Sequence, residues 1–267
     1  MNLKNITIGL DYDTYIDLDN TLRYQFQLRT SFICNFLSRR IRECKVNTSR
    51  QYSMISIALL PMGNEIKSTK IKYGNVLAVY LPFDDKKYEE SVSNEDYIYY
   101  LDLLHQGFVK ASEFTTVPLE ILLKLLYDFK EGEYKNEWIH KKKRFKDIDL
   151  EVVLRCEFTT NYFQLVAIVS QISTKEKLAE GIAMRTEPDE VLFDKMFKDI
   201  LVDDKSIIIT DTSDSPRVLI DLKDAKQGIF NKNFASYIYD NKYSETENKR
   251  YEATHNNVVK ILSYSGN

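Results

Sequence analysis

The sequence predicts an α+β fold with mostly antiparallel mixed sheets and with helices grouped on one face. Two observations support this class. Apolar, β-branched strands occur in consecutive pairs, of which Leu150–Phe158 and Tyr162–Ile172 form the strongest predicted hairpin. Amphipathic helices follow one another and do not alternate with single strands, which argues against a doubly wound parallel sheet.

The chain begins with a predicted strand at Ile6–Leu10 and continues into its longest amphipathic stretch, Asp17–Cys44. Asn20 or Thr21 is expected to cap this helix, because a short side-chain oxygen accepts a backbone N–H that the first turn leaves unpaired. The apolar positions of the helix follow a 3.6-residue period. They are Leu22, Phe26, Ile33, Phe36, Leu37, Ile41 and Cys44.

Two further strand regions precede the next helices. Tyr52–Leu60 is a predicted strand, and Ile71–Leu81 is a predicted hairpin that turns at Gly74 and Asn75. The charged segment Asp84–Asn94 is predicted to be an exposed loop.

A hairpin of two helices then packs on the sheet. Ser93 and Asp96 predict a capping box at the start of the first helix, and Pro118 fits the first turn of the second. The second helix is expected to stop at Gly132.

After the hairpin at 150–172, we predict a helix at Leu192–Ile200 and a strand pair at Ser206–Thr210 and Arg217–Asp221. Beyond Gln227 the chain is rich in polar residues and tyrosine, and Val258–Leu262 is expected to dock back as a final element.

The length of 267 residues fits one large α+β domain that buries its own core. A boundary in the stretch 131–146 would divide it into lobes 1–135 and 136–230, followed by a loosely packed segment, 231–267.

The three cysteines form no CxxC pair, which is typical of reduced thiols in a cytoplasmic protein. No signal region or membrane-spanning run is present, so we expect a cytoplasmic protein without a membrane partner.

The charges are balanced, with 37 basic and 40 acidic residues and a net charge of -3. That balance gives no overall attraction to nucleic acid or to anionic lipid, so either would require a local patch. The eight glycines form no GxGxxG or GxxxxGK string, and we predict no cofactor. The 18 tyrosines fit core and sheet packing, or alternatively a surface for a protein partner.

The string Asp17-Leu18-Asp19-Asn20-Thr21-Leu22 resembles the first motif of haloacid-dehalogenase-like phosphohydrolases. The resemblance implies that Asp17 is the nucleophile and Asp19 the general acid and base, with Mg²⁺ neutralising the phosphate. It covers this hexapeptide only. Thr210 would fit the family's second motif and Asp221 its fourth, but no lysine lies between them, where the family pattern needs one. We prefer the interpretation that the carboxylates belong to an acidic turn that caps the following helix.

A metal site is a related alternative, because Asp17 and Asp19 together with Asp11 and Asp13 could present clustered oxygens to a divalent cation. The segment lacks the glycine and the bidentate glutamate of an EF-hand loop, so a solvated acidic turn is the preferred interpretation. No catalytic residue, cofactor site or metal site is therefore assigned.

A basic run with interleaved aromatic residues could contact a phosphate backbone while its rings stack on bases. Its basic residues are Lys141, Lys142, Lys143, Arg144 and Lys146. The alternative is an edge strand that lysines protect from pairing with another chain, and this interpretation is preferred because the run is short and the chain acidic.

The absence of a catalytic signature favours a protein that acts through its surface. The leading hypothesis is a non-enzymatic bacterial cytoplasmic protein, such as an immunity or inhibitor protein, that occludes another protein. Tyrosines and carboxylates of one region would match a basic partner. These residues are Asp84, Asp85, Tyr88, Glu89, Tyr97 and Tyr100. A nucleic-acid-binding protein and a metal-dependent phosphohydrolase are the alternatives.

Overall fold

The structure is a computed structural model that describes residues 1–266. The chain divides into two compact units, Met1–Asn136 and Glu137–Asn267. The described residues form eight α-helices and three four-stranded sheets, and most strand pairs in the three sheets taken together are antiparallel, so the predicted α+β class is confirmed.

The first unit contains one four-stranded sheet and five helices. Its strands are β1 (Asn5–Leu10), β2 (Met54–Pro61), β3 (Lys70–Lys72) and β4 (Val76–Phe83). Its helices are α1 (Tyr12–Leu18), α2 (Asn20–Cys44), α3 (Asp85–Ser93), α4 (Ile98–Phe114) and α5 (Leu119–Glu131).

The second unit contains two four-stranded sheets and three helices. Its strands are β5 (Asn136–Phe145, which begins on the last residue of the first unit), β6 (Leu150–Phe158), β7 (Phe163–Gln171), β8 (Lys177–Thr186), β9 (Asp199–Val202), β10 (Ser206–Thr210), β11 (Pro216–Asp221) and β12 (Lys232–Phe234). Its helices are α6 (Glu190–Phe193), α7 (Leu222–Lys226) and α8 (Glu245–Leu262).

The sheet of the first unit has the order β1-β2-β4-β3, and its three longer strands are parallel. Only the edge strand β3 runs antiparallel, through the predicted turn at Gly74 and Asn75. Alternate residues of β1 and β2 are fully buried, with Ile6, Ile55 and Leu59 inaccessible to solvent. α2 packs on β1, and α4 packs on β4. The parallel pairing places the carboxyl ends of β1, β2 and β4 at one edge of the sheet.

An aromatic cluster lies at that edge. The Phe26 ring of α2 is 5.6 Å from Phe83 at the end of β4, 5.5 Å from Tyr88 on α3 and 5.7 Å from Tyr100 on α4. Tyr15 of α1 joins through an edge contact with Phe83 at 6.2 Å. One set of rings therefore fixes the positions of four helices and one strand end.

The second unit has an antiparallel sheet of order β12-β11-β10-β9 and a sheet of order β5-β6-β7-β8, in which the central strands are antiparallel. Phe163 of β7 stacks on Phe193 at 3.6 Å and on Phe197 at 5.5 Å. Gly181 of β8 allows Phe230 to pack directly against the backbone, since a Cβ there would lie 2.1 Å from the ring.

Several predicted elements are wrong in extent. The segment predicted as a loop at Asp84–Asn94 is largely the helix α3, because Asp84 caps its first turn and Tyr88 and Ser91 bury one face. The helix predicted at Leu192–Ile200 ends at Phe193, and the chain enters β9 at Asp199. Asp96 accepts from the N–H of Ile98, two residues away, so the predicted capping box with Ser93 is absent.

The segment 231–267, which is predicted to be loosely packed, contains the helix α8 over Glu245–Leu262. Ser244 and Glu247 form a reciprocal capping box at its start. The chain beyond α8 adds to β8, where the N–H of Tyr264 donates to the Arg185 carbonyl at 3.1 Å.

Replacement of Gly107 by alanine tests the packing of α4 on the sheet. A Cβ at this position would lie 2.3 Å from Cδ1 of Ile57, so Gly107→Ala is expected to lower the free energy of unfolding. The net loss should be about 1–2 kcal/mol, since overpacking costs about 1–3 kcal/mol and alanine recovers up to about 1 kcal/mol of helix propensity. Urea unfolding measures it.

Gly9→Ala is the matched control, because nothing lies within 4 Å of the added Cβ. It should leave stability unchanged or raise it by about 0.5 kcal/mol. Equal losses in the two variants would contradict the close approach of α4.

Candidate functional site

The carboxyl edge of the parallel strands holds an ion pair whose carboxylate is buried. Asp11 directly follows β1, and its side chain is 5% exposed, whereas Lys67 is 43% exposed. Oδ1 of Asp11 accepts from Lys67 Nζ at 2.9 Å, from Thr14 Oγ1 at 2.7 Å and from the Thr14 N–H at 3.2 Å. Burial acts to raise the pKa of Asp11, but the hydrogen bonds from Lys67 and Thr14 prevail and hold it below 3.8.

The two aspartates of the hexapeptide lie apart from any strand end. Asp17 is inside α1 and exposed, and Asp19 is the N-cap of α2, where Oδ1 accepts the Leu22 N–H at 2.8 Å. The preferred interpretation as a helix cap therefore agrees with the geometry of Asp19, although the capping residue is Asp19 and not Asn20 or Thr21. Thr210, the counterpart of the family's second motif, lies in the other unit.

Carboxylates of two helix starts form a second feature of the same edge, which we call the acidic surface (Asp19, Asp84, Asp85 and Glu89). Burial raises the pKa of Tyr15, and the nearby charges of Asp85 and Asp19 raise it further. Both carboxylates therefore lie close to one phenol, although 66 positions separate them in the sequence. Burial raises the pKa of Asp85 as well, followed by repulsion from Glu89 and Asp84.

Apolar and aromatic side chains flank the acidic surface. Tyr12 is 60% exposed and Leu18 is 63% exposed at the two ends of α1. Asp13 and Asp17 on this helix add negative charge. Lys86 and Lys87 are the basic residues of α3, and Lys87 lies 4.0 Å from Asp84. The surface thus combines exposed apolar area with a net negative charge.

Two residues of the predicted partner surface belong to the core. Tyr88 and Tyr100 are 5% and 2% exposed, and both rings pack on Phe26. They support the surface from beneath and do not reach a partner, which corrects the predicted set. Tyr97 is partly buried against Phe32, whereas Asp85 and Glu89 are exposed.

Four residues of the basic run, Lys141–Arg144, belong to β5, and Lys146 follows it. β5 is an edge strand of its sheet, which agrees with the preferred interpretation of the run as an edge strand. Lys142 and Arg144 pair with Glu151 at 2.7 and 2.5 Å, and Lys141 and Lys143 lie 3.4 and 3.3 Å from Asp199. Lys143 Nζ also donates to the backbone carbonyl of Ile200 on the edge strand β9 at 2.7 Å. These bases are engaged within the second unit, and Lys146 is the exposed remainder of the run.

The second unit also contains a cavity of about 810 Å³ beside α8, which we call the tyrosine groove. One wall is a face of α8, formed by Tyr251, Thr254, His255 and Val258. Residues of β11 and of the segment before α8 complete the lining. They are Ser215, Pro216, Arg217, Leu219, Ala235, Ser236, Tyr237, Ile238 and Tyr243.

Asn248 fixes the segment before α8 against the helix. It is 4% exposed, and its Nδ2 donates to the carbonyls of Asp240, Tyr243 and Ser244 at 3.1–3.3 Å. Its Oδ1 accepts from the Tyr237 hydroxyl and from the Asp240 N–H, each at 3.0 Å. One side chain therefore holds the wall of the tyrosine groove in place.

Neither a metal centre nor a membrane span is indicated within residues 1–266. The acidic and thiol side chains and histidines of this part of the chain form no cluster of three or more with metal-binding geometry. No helix in the same range combines the length and apolar character that crossing a membrane requires.

Comparison with protein-family models, with curated proteins and with solved structures finds no match for this chain. The acidic surface and the tyrosine groove are therefore the two features of the chain from which a function can be inferred.

Sequence reasoning missed both the Asp11–Lys67 pair and the tyrosine groove. The wall of the groove did carry a signal, since positions 251, 254, 255 and 258 follow the i, i+3, i+4, i+7 spacing of one helix face. Lys67 carried none, because it lies in the irregular segment between β2 and β3.

The ion pair predicts a pH-dependent effect of Lys67→Met. At pH 7 the variant should lose about 1–2 kcal/mol of unfolding free energy, because it leaves the buried Asp11 carboxylate without its cation. The folded-state pKa of Asp11 lies below its ordinary value, so its stabilising effect is present above about pH 4 and lost as pH falls through the lower folded value.

Urea unfolding of both proteins between pH 7 and pH 3 measures the difference. The gap between wild type and Lys67→Met should narrow below about pH 4, where Asp11 takes up a proton. A gap that stays constant with pH would contradict the pairing.

Asn248→Leu should loosen the segment before α8, because two donors, the Tyr237 hydroxyl and the Asp240 N–H, and three carbonyls lose their partner. A local loss of about 2–3 kcal/mol is expected from unpaired polar groups. Hydrogen exchange of residues 237–244 should accelerate while exchange in β6 and β7 stays slow. Asn256→Leu is the control, because Asn256 is exposed on the same helix.

Proposed function

We propose that this protein works without catalysis, by binding a basic protein partner at the acidic surface and occluding it. An immunity or inhibitor protein of the bacterial cytoplasm is the concrete form of this proposal. The observation that carries it is that Tyr15 contacts both helix starts. Its carbonyl accepts the Asp19 N–H at 3.0 Å, and its ring lies 6.2 Å from that of Phe83, which directly precedes Asp84 and Asp85. Two carboxylate-bearing helix starts thereby become one exposed negative surface.

The electrostatics of the surface support a cationic partner. The pKa of Asp85 is raised by burial and then by repulsion from Glu89 and Asp84, so ionisation of Asp85 costs more free energy than that of an isolated aspartate in water. An arginine or lysine side chain from a partner would relieve that repulsion. Complementary charge of this kind mainly accelerates association and selects the partner.

The exposed apolar area beside the carboxylates supports an interface rather than a solvated acidic face. Tyr12 and Leu18 together offer an aromatic ring and an aliphatic side chain at the ends of α1. Protein interfaces combine such apolar contacts with a charged rim, and tyrosine contributes contact area at low entropic cost.

The test begins with isolation of the tagged full chain from its own cells at low salt. The expected result is a one-to-one complex with a basic protein, measured by size exclusion with light scattering. The complex should dissociate in about 1 M salt, where the Debye length is about 3 Å. Recovery of the chain alone at low salt would contradict the proposal.

The variant Asp85→Asn/Glu89→Lys is expected to slow association with the isolated partner by about tenfold or more, because it removes the charge that steers encounter. Glu113→Gln/Glu131→Lys is the matched control, since it changes the net charge by the same amount and both residues are exposed and form no ion pair within residues 1–266. Surface plasmon resonance at several salt concentrations gives both rates. Equal slowing in the control would mean that overall charge, and not the acidic surface, drives binding.

A further inference from the structure

The tyrosine groove is independent of the acidic surface, because all of its lining residues belong to the second unit. Its volume of about 810 Å³ lies within the range of about 300–1,000 Å³ that is common for small-molecule sites. The groove therefore raises a question that the proposed protein partner does not answer.

The body of the groove is apolar and aromatic. The rings of Tyr243 and Tyr251 pack against each other at a tilt of 60°, with their centroids 4.9 Å apart. Leu219 and Pro216 on β11 and Val258 on α8 add aliphatic lining. These groups favour an apolar ligand body, since they form few hydrogen bonds and lose little by desolvation.

The polar groups of the groove converge at Ala235. His255 Nε2 donates to the Ala235 carbonyl at 2.6 Å, and the Ala235 N–H donates to the Arg217 carbonyl at 3.0 Å. The imidazole of His255 and the backbone of Arg217 thus both contact the buried Ala235. The hydroxyls of Ser215 and Ser236 belong to the same part of the lining.

The lining contains no aspartate or glutamate. Arg217 pairs outside the lining with Asp211, whose Oδ2 accepts from Nε at 2.7 Å and from Nη2 at 2.6 Å. The remaining donors of the guanidinium, on Nη1 and the second N–H of Nη2, are not used by this pair. Asp211 is 4% exposed and does not belong to the lining, whereas Arg217 does.

We propose that the tyrosine groove binds a small amphipathic anion, with an aromatic body against the tyrosines and a carboxylate at the end marked by Arg217 and His255. The apolar lining accounts for the body, and a lining that holds an arginine and a histidine but no carboxylate accounts for the charge. Guanidinium donors bind a carboxylate in charge-assisted hydrogen bonds, which are stronger than neutral ones.

The experiment titrates the full chain with three probes of one shape and different charge. Naphthoate is the anion, naphthamide the neutral isostere and naphthylmethylammonium the cation, and calorimetry measures each. We expect saturable binding of naphthoate at one site per chain. Naphthamide should bind at least about tenfold more weakly than naphthoate, because a charge-assisted hydrogen bond becomes a neutral one. The cation should bind more weakly still.

Two variants locate the site. Ser236→Phe places a ring in the groove from an exposed position and should abolish naphthoate binding. Gln227→Phe is the control, because Gln227 is an exposed residue after α7 outside the lining, and it should bind naphthoate like the wild type. Circular dichroism and urea unfolding confirm that both variants fold.

Four results would overturn the proposal. Equal affinity for naphthoate and naphthamide would mean that the groove does not select charge, and a preference for the cation would reverse the sign. Unchanged binding to Ser236→Phe would place the site elsewhere. Absence of saturable binding by any probe would mean that the groove is not a ligand site.

Discussion

The packing of Phe26 is the contact on which the first unit depends. This ring is fully buried on α2 and touches Phe83, Tyr88 and Tyr100, which belong to β4, α3 and α4. Aromatic pairs of this kind contribute about 0.5–1.5 kcal/mol each beyond the area that they bury. Because Asp84 directly follows Phe83, the position of the carboxylates is set by the apolar rings beneath them.

Asp11, Lys67 and Tyr88 at this edge have pKa values that are shifted away from neutrality. Hydrogen bonding to Asp11 raises the pKa of Lys67, and burial raises the pKa of Tyr88 to about 12. A general acid or base needs a pKa near the working pH, so these shifts run opposite to those of acid–base catalysis. Asp85 is the exception, and its repulsion from Glu89 and Asp84 is the kind that a bound cation relieves.

Local periodicity predicted the elements whose apolar pattern is unambiguous. It failed for a helix that consists mostly of polar and charged residues and for strands that pair with distant parts of the sequence. The long helix and the hairpin of β6 and β7 follow from apolar spacing and β-branched composition. α3 was missed because seven of its nine residues are polar or charged, although Tyr88 and Ser91 have the i, i+3 spacing of a buried face. The parallel pairing of β1 with β2 depends on residues about 50 positions apart, which no local pattern encodes.

The candidate sites could be predicted only in part, for a related reason. Composition identified Asp84, Asp85 and Glu89 as surface charge, yet it assigned Tyr88 and Tyr100 to the same surface because a ring's orientation depends on tertiary packing. The 18 tyrosines follow both of the alternatives that composition allowed. In the first unit Tyr15, Tyr52 and Tyr80 are among the largest fully buried side chains, whereas in the second unit Tyr239 and Tyr251 are 47% and 43% exposed. The same residue type is therefore buried in the core at some positions, such as Tyr15, and exposed at others, such as Tyr12 in the first unit and Tyr251 in the second.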